Sequence, residues 1–155
     1  MNQRMKNVWG RELSFPEDVF YSPELLWVKV QAGNRLRIGI SDLGVKSVKN
    51  LMYIEITSRV GKRINKGDTL GIVETSKRVW EIIAPVSGTV MALNPKLSGG
   101  STSPITLDPY GEGWLIELER VSETENELQG LLRGDKTETK RWIKEQAEAL
   151  VPLTM

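Results

Sequence analysis

The sequence predicts a mainly β domain, a small barrel or sandwich of short strands with a helical tail. Three observations predict it. Short runs rich in β-branched and aromatic residues recur between residues 25 and 119, separated by Gly, Pro, Asn and Ser turn signals. The run Arg35-Leu36-Arg37-Ile38-Gly39-Ile40 alternates polar and apolar, as a strand with one buried face must. Beyond residue 122 the apolar positions switch to helical spacing.

Taken in order, residues 1–20 read as an irregular lead-in, with Phe15, Val19 and Phe20 docking on the body. Strands follow at 25–30 and 35–40, joined by the turn Gln31-Ala32-Gly33-Asn34. Ser41 or Asp42 caps a short helix to about Asn50, with Leu43, Val45 and Val48 inward. A strand covers 51–56, and 61–68 is a turn-rich connector. Residues 71–83 form a hairpin, 89–93 a strand, 94–112 a Pro-, Gly- and Ser-rich loop, and 114–119 the last strand. A helix from 122 or 123 to Leu132 ends at Gly134. Asp135 with Glu138 forms a capping box for a second helix reaching Leu150, with Trp142, Ile143, Ala147 and Leu150 on one face. That face is expected to pack on the strands; the alternative is that it docks a partner.

With 155 residues and 39% hydrophobic content, the chain reads as one domain with a true core. Lys plus Arg is 21 and Asp plus Glu is 20, so nothing calls for nucleic acid or a charged membrane as partner. No apolar run reaches membrane-span length and no signal peptide is visible, so a cytoplasmic protein is expected. There is no cysteine and no histidine. Disulfides, thiol nucleophiles, Cys or His metal sites and histidine acid–base machinery are therefore excluded. The remaining acids are scattered, and no catalytic or metal residue is assigned. Redox or group-transfer chemistry would need a reactive group brought in from outside.

One residue is placed to receive such a group. In Gly71-Ile72-Val73-Glu74-Thr75-Ser76-Lys77-Arg78-Val79-Trp80-Glu81-Ile82-Ile83, two apolar runs flank a polar tip that presents Lys77 to solvent. By the hairpin alone, an ordinary solvated turn lysine is the better description, since exposed turn lysines are common. The flanking spacing separates the two. Gly61 lies sixteen residues before Lys77, Gly88 eleven after, and Glu74 three before. Lipoyl and biotinyl domains resemble this, with glycines at those offsets turning the backbone around the modified hairpin. Biotinyl domains centre on Met-Lys-Met, whereas this chain has Ser76-Lys77-Arg78.

The resemblance extends further. Tyr21-Ser22-Pro23 with Trp27-Val28, Gly39-Ile40-Ser41-Asp42, Glu74-Thr75-Ser76-Lys77, Ala84-Pro85-Val86-Ser87-Gly88 and Asp108-Pro109-Tyr110-Gly111-Glu112-Gly113-Trp114 are similar to the glycine cleavage system H protein family, as are Glu127-Leu128 and Leu131-Leu132. Roughly residues 20–135 are covered. The resemblance implies a barrel-sandwich hybrid of two small antiparallel sheets with C-terminal helices. It divides the chain into a lead-in (1–20), a lipoyl-domain-like barrel (21–120) and a helical segment packed on it (121–155). It also implies a lipoyl group in amide linkage to Lys77, recognised through Glu74, Thr75, Ser76, Arg78 and the glycines Gly61 and Gly88. The chain would be a monomeric swinging-arm carrier, not an enzyme. Its partners would be a lipoate-attaching enzyme and the redox or transfer enzymes it serves.

The chain also departs from the family. A His-Glu pair, whose carboxylate is associated with holding the aminomethyl-loaded arm, stands in the family where this chain has Leu25-Leu26. Leucine accepts no hydrogen bond and carries no charge. Arg78 adjoins the modified lysine, and Arg59, Lys62, Arg63, Lys46 and Lys49 add cations. If these converge, the arm suits anionic cargo; otherwise they are a solvated face. The expectation is therefore a carrier of sulfur intermediates, as in the lipoate-binding branch of heterodisulfide-reductase-like sulfur oxidation. The alternatives are a glycine cleavage carrier of the aminomethyl group and an unmodified relative.

Overall fold

A computed structural model describes residues 2–6, 12–48 and 50–149. The strands are β1 (Asn2–Lys6), β2 (Glu12–Pro16), β3 (Phe20–Tyr21), β4 (Leu26–Val30), β5 (Arg35–Ile40), β6 (Leu51–Ile56), β7 (Arg63–Ile64), β8 (Thr69–Thr75), β9 (Val79–Ile83), β10 (Gly88–Leu93), β11 (Ile116–Glu119) and β12 (Leu132–Arg133). The helices are α1 (Asp42–Lys46), α2 (Ser103–Leu107), α3 (Thr124–Gln129) and α4 (Thr137–Ala149), with a 3-10 segment at Pro95–Gly100. Among the described residues, no helix is long and apolar enough to cross a membrane.

Two antiparallel sheets sandwich the core. One has seven strands in the order β12-β3-β4-β5-β11-β10-β7, the other three in the order β6-β8-β9. Period-two alternation puts Leu36, Ile38, Ile116 and Leu118 on the inner face of the larger sheet and Ile54, Val73 and Ile82 on that of the smaller, and Leu70 joins them where the β8–β9 register shifts between Thr69 and Gly71. All eight belong to one cluster, at about 1.5–3 kcal/mol for each fully buried side chain. This is the mainly β, barrel-sandwich architecture the sequence led us to expect.

The ends differ from expectation. Residues 12–16 and 20–21 are strands, not irregular chain. Leu13, Phe15 and Val19 join Tyr21, Trp27, Leu43, Ile143 and Ala147 in a second cluster, so α4 packs on the body through its apolar stripe; Leu150 lies outside the described residues. β2 pairs with its neighbour β1, from Asn2↔Pro16 to Lys6↔Glu12, and the polar run Asn2-Gln3-Arg4-Met5-Lys6 has no apolar alternation to mark it as a strand. The 94–112 loop contains α2. The first tail helix stops at Gly130, because Leu132 and Arg133 pair with Tyr21 and Phe20 instead of continuing it. Asp135 does not begin the second helix; it pairs with Arg133 Nε at 3.1 Å.

The Asp108–Trp114 run is the hub that joins the clusters. Trp27 Nε1 donates to the Pro109 carbonyl at 2.9 Å. The Tyr110 hydroxyl donates to the Ser14 carbonyl at 2.7 Å and accepts from the Asp42 amide at 3.0 Å. Asp42 Oδ2 in turn accepts from the Ser14 amide at 2.8 Å. Burial pushes the Tyr110 phenol well above its ordinary value, so it stays a neutral donor.

Candidate functional site

The site is the tip between β8 and β9. Val73 faces the core and Glu74 faces out, so the last alternation of β8 leaves Thr75 to start the turn. The Thr75 amide donates to the Arg78 carbonyl at 2.9 Å and closes it. The Thr75 hydroxyl accepts from the amides of Lys77 (3.3 Å) and Arg78 (3.1 Å) and donates to the Arg78 carbonyl at 3.0 Å. Glu74, Ser76, Lys77 and Arg78 are exposed and Thr75 is half-buried. The structure thus brings five of the seven residues named from sequence into one tip.

The two glycines are not there, which corrects the expectation that they turn the chain around the hairpin. The Gly61 amide donates to the Val90 carbonyl at 2.8 Å, and Gly88 pairs with Ile64. Both lie at the opposite end of the barrel. Register shows why: β6 pairs with β8 from Leu51↔Thr75 to Ile56↔Gly71, and the chain reaches Gly61 beyond that second end. At about 3.3 Å per residue, that end is about 20 Å from Lys77. Gly61 is required by its φ of 90°. Gly88 is required by close approach: a Cβ would lie 2.9 Å from the Glu119 carbonyl oxygen.

The cations do not converge either. Arg59, Lys62 and Arg63 sit in the far-end connector, and Arg63 pairs with Glu123. Lys46 Nζ is held at 2.9 Å by both Asp42 Oδ2 and the Glu12 carbonyl. Lys49 lies outside the described residues. Arg78 alone of the named cations stands in the tip.

Beside the tip is a cleft of about 350 Å³, walled by Val45, Val48, Leu51, Thr102, Thr106 and Leu107. Leu51 pairs with Thr75 and its carbonyl accepts from Thr102 Oγ1 at 2.9 Å, so one strand end joins cleft and tip. Asn50 and Ser103 complete the lining, and among the described residues none that lines it is charged. Sequence reasoning missed this wall because α2 lay inside a segment read as loop. A larger cleft of about 480 Å³ opens between β12, α3 and α4, and no residue of the sheet that carries the tip lines it. The reactive amine, not the volume, marks the site.

Leu26 is fully buried in the main cluster and lines no part of this cleft. Leu25 adopts φ 71°, costly for a side chain branched at Cγ, and its carbonyl accepts from both the amide and the hydroxyl of Ser41 at 2.9 Å. Neither can offer a cargo a carboxylate.

Comparison with known proteins agrees with this geometry. The family described as Glycine cleavage H-protein matches residues 19–151. A glycine cleavage system H protein of Carboxydothermus hydrogenoformans is 41% identical over 110 residues, covering 71% of this chain and 82% of the relative. One from Listeria monocytogenes is 35% identical over 126 residues, covering 81% and 97%. The crystal structure of a glycine cleavage system H protein from Mycobacterium marinum superimposes with TM-score 0.61 at 28% identity, covering 74% of this chain and 96% of that one. With the matched residues spanning the sandwich, the tip and α4, the chain belongs to the glycine cleavage H-protein family.

Proposed function

We propose that this chain is a lipoyl-bearing carrier of the glycine cleavage type, with the group in amide linkage to Lys77. The observation that carries the proposal is the exposed lysine at a closed hairpin tip beside a cleft whose described lining is uncharged. The residues fit the group. Lys77 is solvent-exposed, as acylation by another protein requires, and apolar walls at Val45, Val48 and Leu51 match an acyl chain. The lipoyl group, when bound, supplies the dithiol chemistry that a cysteine-free chain lacks. The chain's own part is to anchor the arm, to remove one positive charge on acylation, and to hold a tethered cargo at high effective concentration for its partner enzymes. Catalysis belongs to those partners, and the reading includes a cytoplasmic, monomeric protein.

The relatives favour glycine cleavage over the sulfur carrier expected from sequence. The convergent cations that supported the sulfur reading are absent from the described tip, Arg78 apart. One observation keeps that reading second: Leu26 is core, so no carboxylate stands at that position to meet an amine cargo. Reconstitution with aminomethyltransferase and glycine decarboxylase tests the choice. Efficient turnover of the lipoylated protein supports glycine cleavage; lipoylated protein that fails to turn over transfers the weight to sulfur transport.

A further inference from the structure

We infer that Thr75 is the positioning residue for modification at Lys77: its hydroxyl, beyond the Thr75–Arg78 backbone bond that closes the turn, sets the geometry in which the lysine is presented. The inference rests on the proposed attachment at Lys77.

A hydroxyl has one proton to give and two lone pairs. All three are used inside this one turn, on the amides of Lys77 and Arg78 and on the carbonyl of Arg78. The cross-strand register ends at Glu74↔Val79, so the ladder itself does not reach Ser76 or Lys77. Side-chain closure of this kind lets Ser and Thr substitute for backbone pairing in turns. Thr75 is also anchored from behind, because it pairs with Leu51 of β6. The orientation of the tip is thereby tied to the sheet and to the cleft wall.

A second turn lysine in the same chain shows what is special. Lys66 sits in the turn Asn65-Lys66-Gly67-Asp68, but its amide donates outward to Ser87 Oγ at 2.9 Å and the next amide donates to the Ala84 carbonyl at 2.9 Å. That turn is stitched down onto a neighbouring segment. The Lys77 amide is held from within its own turn, so the tip can enter another protein's active site without losing those bonds. A preorganised lysine costs the attaching enzyme less ordering on binding. In the modification step the ligase activates the lipoate carboxylate with ATP. Lys77 Nζ attacks the carbonyl carbon, the nucleotide leaves, and the amine proton goes to solvent.

The test uses the full chain with Thr75→Val, which keeps β-branching and removes the hydroxyl, and Thr75→Ser, which keeps it. Acylation by a lipoate–protein ligase with lipoate and ATP is followed by intact mass and peptide mapping, alongside amide hydrogen exchange. Thr75→Val should keep the melting temperature, exchange faster at the Lys77 and Arg78 amides, and lose about tenfold in kcat/KM, mostly through KM. Thr75→Ser should stay within about twofold of the parent in all three. Val acylated as fast as the parent, or Ser as slow as Val, overturns the role of the hydroxyl while the attachment site stands. A parent chain left unmodified at Lys77 overturns the attachment reading itself, and the inference with it.

Discussion

Lys77 and Glu74 differ in what each gives to the proposed modification, and substitutions separate them. Lys77→Arg keeps the charge and removes the primary amine, so lipoylation should vanish while stability stays within about 0.5 kcal/mol; mass spectrometry and thermal melting check both halves. Glu74→Gln keeps size and exposure but removes the charge three residues before the amine. It should slow ligation by the native attaching enzyme and leave the melt unchanged. An unchanged ligation rate would remove Glu74 from the recognition signal. These tip residues were legible in the sequence because a hairpin tip is a local pattern. The placement of Gly61 and Gly88 was not, because offset from Lys77 along the chain says nothing about which end of a barrel a glycine reaches. Leu26 illustrates the same limit: its identity was readable, its burial in the main cluster was not.

Among the elements, β5 and β11 carry the clearest electrostatic prediction. Glu117 projects between Arg35 and Arg37, at 2.6 and 3.2 Å. Burial pushes its carboxyl up, but the hydrogen bonds and charge of the two arginines outweigh that and hold it below the ordinary carboxylate value. A depressed value in the folded state means the pair stabilises above the unfolded carboxylate range and the contribution is lost as pH falls through the folded value. The parent should therefore melt at progressively lower temperature on acidification, and Glu117→Gln should melt lower at neutral pH with a flatter acid limb. Equal acid slopes in both would contradict the account. The hub offers a second test. Tyr110→Phe removes one donor and one acceptor joining Ser14 to Asp42, and should cost about 1–3 kcal/mol by denaturant melting. The strands of the barrel were readable from alternation, and α4 from its stripe. The short β2, β3 and β12 were not: β2 pairs with the polar β1, which shows no alternation, and the two-residue β3 and β12 are too short for a period and meet each other from far apart in the chain.

For the whole molecule, the division of labour is spatial. The tip, α1 and the cleft wall gather at one end of the sandwich, and the glycine-bearing connector closes the other. The family match begins at residue 19, yet β2 docks through Leu13 and Phe15 and through both backbone groups of Ser14. Removing residues 1–16 should lower the melting temperature and leave acylation at Lys77 in place, because no described residue of that segment lines the cleft. Fold class was legible because alternation and turn chemistry repeat along the chain. The pathway was less so: it hung on Leu25-Leu26 and on cations whose positions only the folded chain reveals. The most direct test of the carrier account is the intact mass of protein made in its native host with lipoate available, followed by peptide mapping. The account predicts a single lipoyl adduct, on Lys77; an unmodified Lys77, or an adduct on another lysine such as Lys66, would contradict it.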